Sequence, residues 1–237
     1  MNEFLAANLQ AVQQSILESA TLANRNPNDI TLLAVSKTVG VSNIEKMARL
    51  GQINFAENYA QEGLEKILTL KEREVKGLIW HFIGPLQSNK TRLVAENFDW
   101  VQTVDRLKIA QRLSEQRPTH LHPIQLCIQV NIDGGTTKSG VNPLETLELA
   151  RAIRKLPHTT LRGLMTIPDP VDGAQAQREI HNKAKLLFDS IKLELQSEEF
   201  DTLSMGMSMD MKEAIAAGST MVRVGTALFG SRKTGTQ

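Results

Sequence analysis

The sequence has a single cysteine, almost no net charge and no long apolar run. Because Cys127 stands alone among 237 residues, the chain cannot be stabilised by disulfide bonds of its own, and a reducing compartment suits it. The 27 lysines and arginines balance 26 aspartates and glutamates, so no overall field draws the protein toward nucleic acid or anionic lipid. Nowhere do about 18 apolar residues follow one another. We expect neither a nucleic-acid nor a membrane partner.

The motifs of several enzyme classes are also missing. H-E-x-x-H, C-x-x-C, G-x-S-x-G and G-x-x-x-x-G-K-[ST] do not occur. The histidines are scattered, apart from His120 and His122 in a loop flanked by prolines, so we predict no metal site. Residues 1–20 mix charged and amide side chains with apolar ones, which is unlike a secretory leader, and we expect a cytoplasmic protein.

Eight short runs rich in β-forming residues are spread along the chain. We predict strands over residues 30–38, 53–58, 78–85, 100–104, 124–132, 161–168, 202–206 and 221–230. Seven segments with helical spacing of apolar residues lie between them, most clearly 105–117 and 172–196. Strands and helices therefore alternate, as they do in proteins built on a parallel sheet.

The length of the chain favours one domain over residues 1–237, a (β/α)8 barrel, which typically takes roughly 250 residues. Only seven residues follow the last predicted strand at Gly230, too few for an eighth helix, and the apolar stripe of residues 2–23 can take that place. Strands such as 32–35 are apolar on both faces, a trait that an open doubly wound sheet shares. That second architecture stays open at this point.

Polar residues that end apolar strands would point into the shared mouth of a barrel. Lys37 is the first of them, since it follows Ser36 and four consecutive apolar residues. Partial desolvation there favours the neutral amine, the form that condenses with an aldehyde to a Schiff base. The alternative is a lysine that simply enters solvent where the strand stops.

The last two strands offer a candidate phosphate site, in the region where barrels often have one. Ser208 follows strand seven and can cap a helix predicted over 209–217, whose N-terminus would favour an anion. On strand eight, Gly225 permits close approach and the backbone N–H groups near Thr226 can meet a phosphate. The alternative for each stretch is a tight turn with a packing glycine.

Arg223 and Gly225 stand two residues apart on the last strand, so they face one side while Val222 and Val224 face the other. An arginine inside a barrel is costly unless it is paired. We expect its partner to be the ring nitrogen or phosphate of a ligand, or else a carboxylate such as Glu57 near another strand end.

Two further residues can face the interior. His81 alternates with Phe82 on strand three, and it would serve either as a ligand contact or as a hydrogen-bonded core histidine. Asn58 ends strand two, where its amide can orient polar groups.

Eight fragments carry a resemblance to a known family. They are LAVSKT (33–38), FAEN (55–58), WHFIGPLQSNK (80–90), QVN (129–131), KSG (138–140), GLMTIP (163–168), LSMGMS (203–208) and GSTMVRVGTALFG (218–230). In this order they resemble the pyridoxal phosphate homeostasis proteins, which are similar to the barrel domain of alanine racemase. The chain departs from the family at Ala56, where glycine is usual, and at Gly135, where glutamate is usual.

The resemblance implies a cofactor and a role for each candidate residue. Pyridoxal 5′-phosphate (PLP) would be held covalently on Lys37, with its phosphate contacted by Ser204, Ser208, Gly225 and Thr226 and its pyridine nitrogen near Arg223. From their positions on strands two and three, we expect Asn58 and His81 in the same cofactor site. An arginine beside the pyridine nitrogen disfavours protonation of the ring, which weakens it as an electron sink. The resemblance therefore implies a protein that holds or delivers PLP and influences amino-acid and keto-acid balance, with little or no catalysis.

Two other functions stay open: a PLP-dependent amino-acid racemase, and a barrel enzyme that binds a sugar phosphate without PLP. The racemases take a second base, a tyrosine, from a C-terminal β-domain of the partner subunit, and this sequence shows no such domain after strand eight. Its single tyrosine, Tyr59, adjoins strand two. We accordingly expect a monomer, with PLP-dependent apoenzymes as recipients of the cofactor.

Overall fold

A computed structural model describes residues 2–135 and 139–230 as a closed barrel of eight parallel strands. The strands pair in chain order and β8 pairs with β1. They are β1 Thr31–Val35, β2 Asn54–Glu57, β3 Ile79–Phe82, β4 Trp100–Val104, β5 Ile124–Val130, β6 Thr159–Thr166, β7 Thr202–Ser204 and β8 Met221–Val224. The predicted barrel is confirmed, and the open sheet is wrong because the first and last strands share hydrogen bonds.

Helices cover the outside of the barrel. They are α1 Asn2–Leu22, α2 Val41–Arg49, α3 Ala60–Glu72, α4 Thr91–Asn97, α5 Leu107–Gln116, α6 Thr146–Ile153, α7 Ala174–Leu195, α8 Met211–Ala216 and α9 Thr226–Phe229. No helix in the described part of the chain is long and apolar enough to cross a membrane.

The opening helix closes the outer ring, as the sequence predicts. It packs against α2 on one side and against α8 and α9 on the other. Its buried face is formed by Leu5, Leu9, Val12 and Ile16, spaced three or four residues apart. The Asn8 amide also donates a hydrogen bond of 2.9 Å to the carbonyl of Leu228, which ties the start of the chain to the segment after β8.

Two predicted boundaries are wrong near the mouth of the barrel. The eighth strand ends at Val224 rather than at Gly230, because the chain turns at Gly225 into the short helix α9. The helix predicted from residue 209 begins at Met211. Asp210 precedes it, and its carboxylate accepts the N–H of Met207 at 2.6 Å, which holds residues 207–210 in a turn.

Side chains alternate across the barrel wall. Ala34, Phe55, Phe82 and Val222 belong to the large core between strands and helices. The interior holds a much smaller apolar cluster, which consists of Leu33, Ala56, Ile83 and Met221 with Val35 packed against it. The remaining interior positions are therefore available to polar side chains.

Gly84 lets the ends of β2 and β3 approach each other. A Cβ atom at this position would lie 1.8 Å from the carbonyl oxygen of Asn58, which is far inside van der Waals contact. The carbonyl of Gly84 also accepts the Thr103 hydroxyl at 2.7 Å. A glycine here therefore sets where Asn58 stands at the mouth.

We expect Gly84→Ala to lower the free energy of unfolding by about 2 to 3 kcal/mol, because the backbone at Asn58 must move to admit the methyl group. Urea unfolding measures this. Gly40→Ala is the matched control, since nothing lies within 4 Å of a Cβ there. Equal stabilities of the two variants would contradict the prediction.

Candidate cofactor site

Lys37 lies at the mouth of the barrel, in the turn that follows β1. It is half-buried and continues the interior-facing alternation of Leu33 and Val35. The neighbouring strand β8 is followed by Gly225, where a Cβ atom would stand 3.3 Å from the carbonyl oxygen of Val35. The fold thus brings Lys37 and the segment at Gly225 and Thr226 to the same edge, as the sequence predicts.

The backbone beside Lys37 has an uncommon conformation. Thr38 has a φ of 65°, in the left-handed region that β-branched residues avoid. Such a conformation costs roughly 1 to 3 kcal/mol and persists only where the surroundings hold it. The turn that carries the amine is therefore set by its contacts and not by local preference.

A chain of hydrogen bonds crosses the barrel interior below Lys37. The Arg223 guanidinium donates to the Ser204 hydroxyl at 2.9 Å, and that hydroxyl donates to the Gln102 carbonyl oxygen at 2.7 Å. The Gln102 amide lies 3.0 Å from Nδ1 of His81, whose Nε2 lies 3.2 Å from Oδ1 of Asn54. The side-chain N–H of Gln102 can only donate, so Nδ1 of His81 accepts and the ring proton of His81 lies on Nε2. Every hydrogen bond in the chain therefore runs from donor to acceptor in the direction from Arg223 to Asn54.

This chain of hydrogen bonds is buried, and burial shifts the pKa values of its two titratable residues. Burial lowers the pKa of His81 to about 3, so its imidazole is neutral at physiological pH. Burial also lowers the pKa of Arg223 to about 10, which leaves the guanidinium charged. A second bond, of 2.8 Å to the carbonyl of Thr166, holds the guanidinium in place. His81 does face the interior, and both of its ring nitrogens are engaged.

The alternative pairing of Arg223 with Glu57 is wrong. Glu57 faces outward from the barrel wall and forms a salt bridge of 2.8 Å with Lys66 on α3. The two residues point to opposite sides because β2 alternates, with Ala56 inside and Glu57 outside. Arg223 instead uses a hydroxyl and a carbonyl as partners.

The two serines expected at the phosphate lie in different surroundings. Ser204 is fully buried, and its hydroxyl is shared between Gln102 and Arg223. Ser208 is exposed in the turn before α8, and it is not the cap of that helix because Asp210 takes that position. Asp210 in turn accepts a hydrogen bond of 2.9 Å from Nε2 of His181, which anchors the turn to α7.

Two buried side-chain oxygens at the mouth have no hydrogen-bond partner among the described residues: Asn58 Oδ1 and Asn131 Oδ1. They directly follow the C-terminal ends of β2 and β5. Buried polar atoms are almost always paired, so two unpaired oxygens at one edge fit a ligand that carries polar substituents. Asn58 was expected here. Asn131 was not, although it ends an apolar run, the pattern that singles out Lys37.

A pH dependence of stability follows from the buried His81. The unfolded histidine takes up a proton near its ordinary pKa of 6.5, whereas the folded one resists protonation down to about 3. The stability that this neutral histidine contributes is therefore present above pH 6.5 and is lost as the pH falls below it.

We expect His81→Gln to reduce the slope of unfolding free energy against pH, between about pH 6 and pH 4, by up to about 1.4 kcal/mol per unit. Denaturant unfolding across that range measures the slope. The exposed His120 gives the control, His120→Gln, which should leave the slope as in the wild type. Identical slopes for all three proteins would refute the assignment of a neutral, buried His81.

Comparison with known proteins agrees with this geometry. The family "Alanine racemase, N-terminal domain" matches residues 7–233. A pyridoxal phosphate homeostasis protein of Haemophilus influenzae is 53% identical over 225 residues, which cover 95% of this chain and 94% of that protein. A protein of the same name from Escherichia coli (strain K12) is 52% identical over 232 residues, 98% of each chain.

Solved structures extend the comparison. The structure of PipY from Synechococcus elongatus PCC7942 with PLP bound is 31% identical, with a TM-score of 0.81 over 95% of this chain and 100% of that one. An alanine racemase of Clostridium difficile, 18% identical with a TM-score of 0.74, shares the fold over 98% of this chain and 58% of its own. Fold and sequence thus agree that the chain belongs to the pyridoxal phosphate homeostasis protein family, built on the alanine racemase N-terminal domain.

Proposed function

We propose that this protein binds PLP at the mouth of its barrel, covalently through Lys37, and serves PLP homeostasis by holding the reactive aldehyde and delivering it. One observation carries the proposal: a half-buried lysine shares the barrel mouth with two buried oxygens, Asn58 Oδ1 and Asn131 Oδ1, that lack partners among the described residues. The homeostasis proteins at about half identity and the PLP-bound relative support the choice of ligand.

Each part of PLP has a matching group on this chain. The Lys37 amine would attack the aldehyde carbon, with formation of a C=N bond and loss of water. Arg223, held by Ser204 and Thr166, would face the ring nitrogen. Asn58 and Asn131 would meet the polar ring substituents.

The phosphate would lie between the segments that follow β7 and β8. Gly225 caps α9 and Thr226 begins it, and the first N–H groups of a helix have no acceptor within it. Ser208 adds an exposed hydroxyl from the turn after β7. Because the Ser204 hydroxyl already has two partners, we assign it to orienting Arg223 rather than to the phosphate.

The same geometry argues against efficient catalysis. When bound, PLP supplies an electron sink for carbanions, and a charged Arg223 beside the ring nitrogen disfavours the protonation that strengthens this sink. A histidine could serve as the second base, but His81 is neutral, buried and engaged at both ring nitrogens. A general base needs a pKa near the working pH, and that of His81 is lowered to about 3. We therefore propose a carrier whose recipients are PLP-dependent apoenzymes, and which acts as a monomer.

Lys37→Ala should abolish the imine absorbance near the visible edge, because it removes the amine that bonds the aldehyde, while the melting temperature stays close to that of the wild type. Mass spectrometry after borohydride reduction locates the pyridoxyl group. Lys90→Ala, which removes another lysine that follows a barrel strand, is the control and should keep the adduct. An adduct at full occupancy on Lys90, or on Lys138 outside the described residues, would overturn the assignment.

The holoprotein should turn over common amino acids far more slowly than the roughly 1 to 1,000 per second of typical enzymes. The reason is the combination of Arg223 with a His81 that cannot act as a base. Formation of the D-enantiomer from L-alanine, together with α-proton exchange into heavy water, measures the activity. Turnover in the enzymatic range, lost in Lys37→Ala, would promote the racemase over the carrier.

A further inference from the structure

A buried charge cluster lies on the outer side of the barrel wall, directly behind Lys37. Lys66 on α3 is only 6% exposed, and its ammonium has three acceptors. They are the carbonyl of Ser36 at 2.7 Å, Oε1 of Glu57 at 2.8 Å and Oε1 of Glu62 at 2.6 Å. All three N–H donors of the lysine are thus used. We call Lys66, Glu57 and Glu62 the Lys66 cluster.

The Lys66 cluster holds both neighbours of Lys37. Oε1 of Glu57 accepts the Ser36 hydroxyl at 2.6 Å, and Oε1 of Glu62 accepts the backbone N–H of Thr38 at 2.6 Å. Together with the bond from Lys66 to the Ser36 carbonyl, three hydrogen bonds tie the residues on either side of Lys37. The bond to Thr38 also accounts for how a β-branched residue keeps a φ of 65° in this turn.

Stability alone does not explain such a cluster. The Glu57 side chain is fully buried, and its Oε2 atom has no hydrogen-bond partner among the described residues. Burial raises the pKa of Glu57, and the hydrogen bonds from Lys66 and Ser36 offset this only in part. Buried ion pairs of this kind are often no better for stability than apolar side chains of the same size. What the cluster does provide is a defined backbone at residues 36–38.

We propose that the Lys66 cluster is a positioning device that aims the Lys37 amine at the aldehyde of a ligand seated in the barrel mouth. The inference rests on the proposed function, since it concerns how Lys37 is presented and not whether it reacts. Glu57, Glu62 and Lys66 lie outside the barrel wall and act through Ser36 and Thr38. They are therefore positioning residues.

A positioning role predicts that ligand affinity and imine formation respond differently to a substitution, whereas a general loss of structure would lower both. Pyridoxine 5′-phosphate carries an alcohol in place of the aldehyde, so its affinity reports the phosphate and ring contacts without the C=N bond. The equilibrium constant for imine formation with PLP reports the placement of Lys37 in addition. A defect in positioning lowers the second quantity and leaves the first unchanged.

Glu62→Ala is the test, because Glu62 is only half-buried and its loss removes the acceptor of the Thr38 N–H. We expect imine formation, followed by absorbance and by borohydride trapping, to fall about 10-fold, with pyridoxine 5′-phosphate affinity unchanged. Glu62→Gln keeps a carbonyl oxygen at that position and should restore most of the loss. Glu65→Ala removes an exposed carboxylate from the same helix and should behave as the wild type.

Lys66→Met removes all three bonds and should lower imine formation further in folded protein; the Glu62 variants carry the test whether or not this variant folds. An unchanged imine constant in Glu62→Ala, or an equal fall in affinity for both ligands, would overturn the positioning role. A wild type that binds pyridoxine 5′-phosphate but forms no imine would instead overturn the proposed function. The two failures are therefore distinguishable.

Discussion

The hydrogen-bond chain from Arg223 to Asn54 is the constraint on which the rest of the site depends. A closed barrel of this size fills its interior with side chains, and here one of them belongs to Arg223, a charged residue that is only 4% exposed. A buried charge of this kind is tolerated only when each of its neighbours is oriented to receive it. Ser204, Gln102 and His81 provide that orientation, each through a hydrogen bond to the next residue. They hold the Arg223 guanidinium in a fixed place at the barrel mouth.

The hydrogen-bond chain in the barrel interior has a counterpart outside the wall, the Lys66 cluster. Because side chains alternate along a strand, adjacent residues at the ends of β1 and β2 serve opposite sides: Lys37 and Asn58 face the mouth, while Ser36 and Glu57 face α3. The inner network sets the charge that a ligand meets, and the outer one sets the backbone that presents the amine. The strand wall keeps the two networks apart, so each can be altered while the other is left in place.

Much of the fold could be predicted from the sequence. Eight apolar runs with helical segments between them indicate a parallel α/β barrel, and the apolar stripe of α1 predicts its place in the outer ring. The errors fall where local pattern and tertiary contact compete. The apolar residues after Gly225 suit a strand but form α9 instead. The turn at 207–210 delays α8, because Asp210 bonds backward to Met207.

Sequence by itself determined the residue types at the barrel mouth: a lysine and an asparagine that end apolar strands, and an arginine that shares its face with Gly225. Only the tertiary structure decided which of them pair. Glu57 and Arg223 come from strands two and eight, and nothing in their spacing along the chain tells whether they meet. The closed barrel puts one outside and one inside, so Arg223 binds Ser204 and Glu57 binds Lys66. Strand alternation decides which side of the barrel wall a side chain faces, and barrel closure decides how close two strands lie. Residues distant in sequence become partners only when both conditions are met.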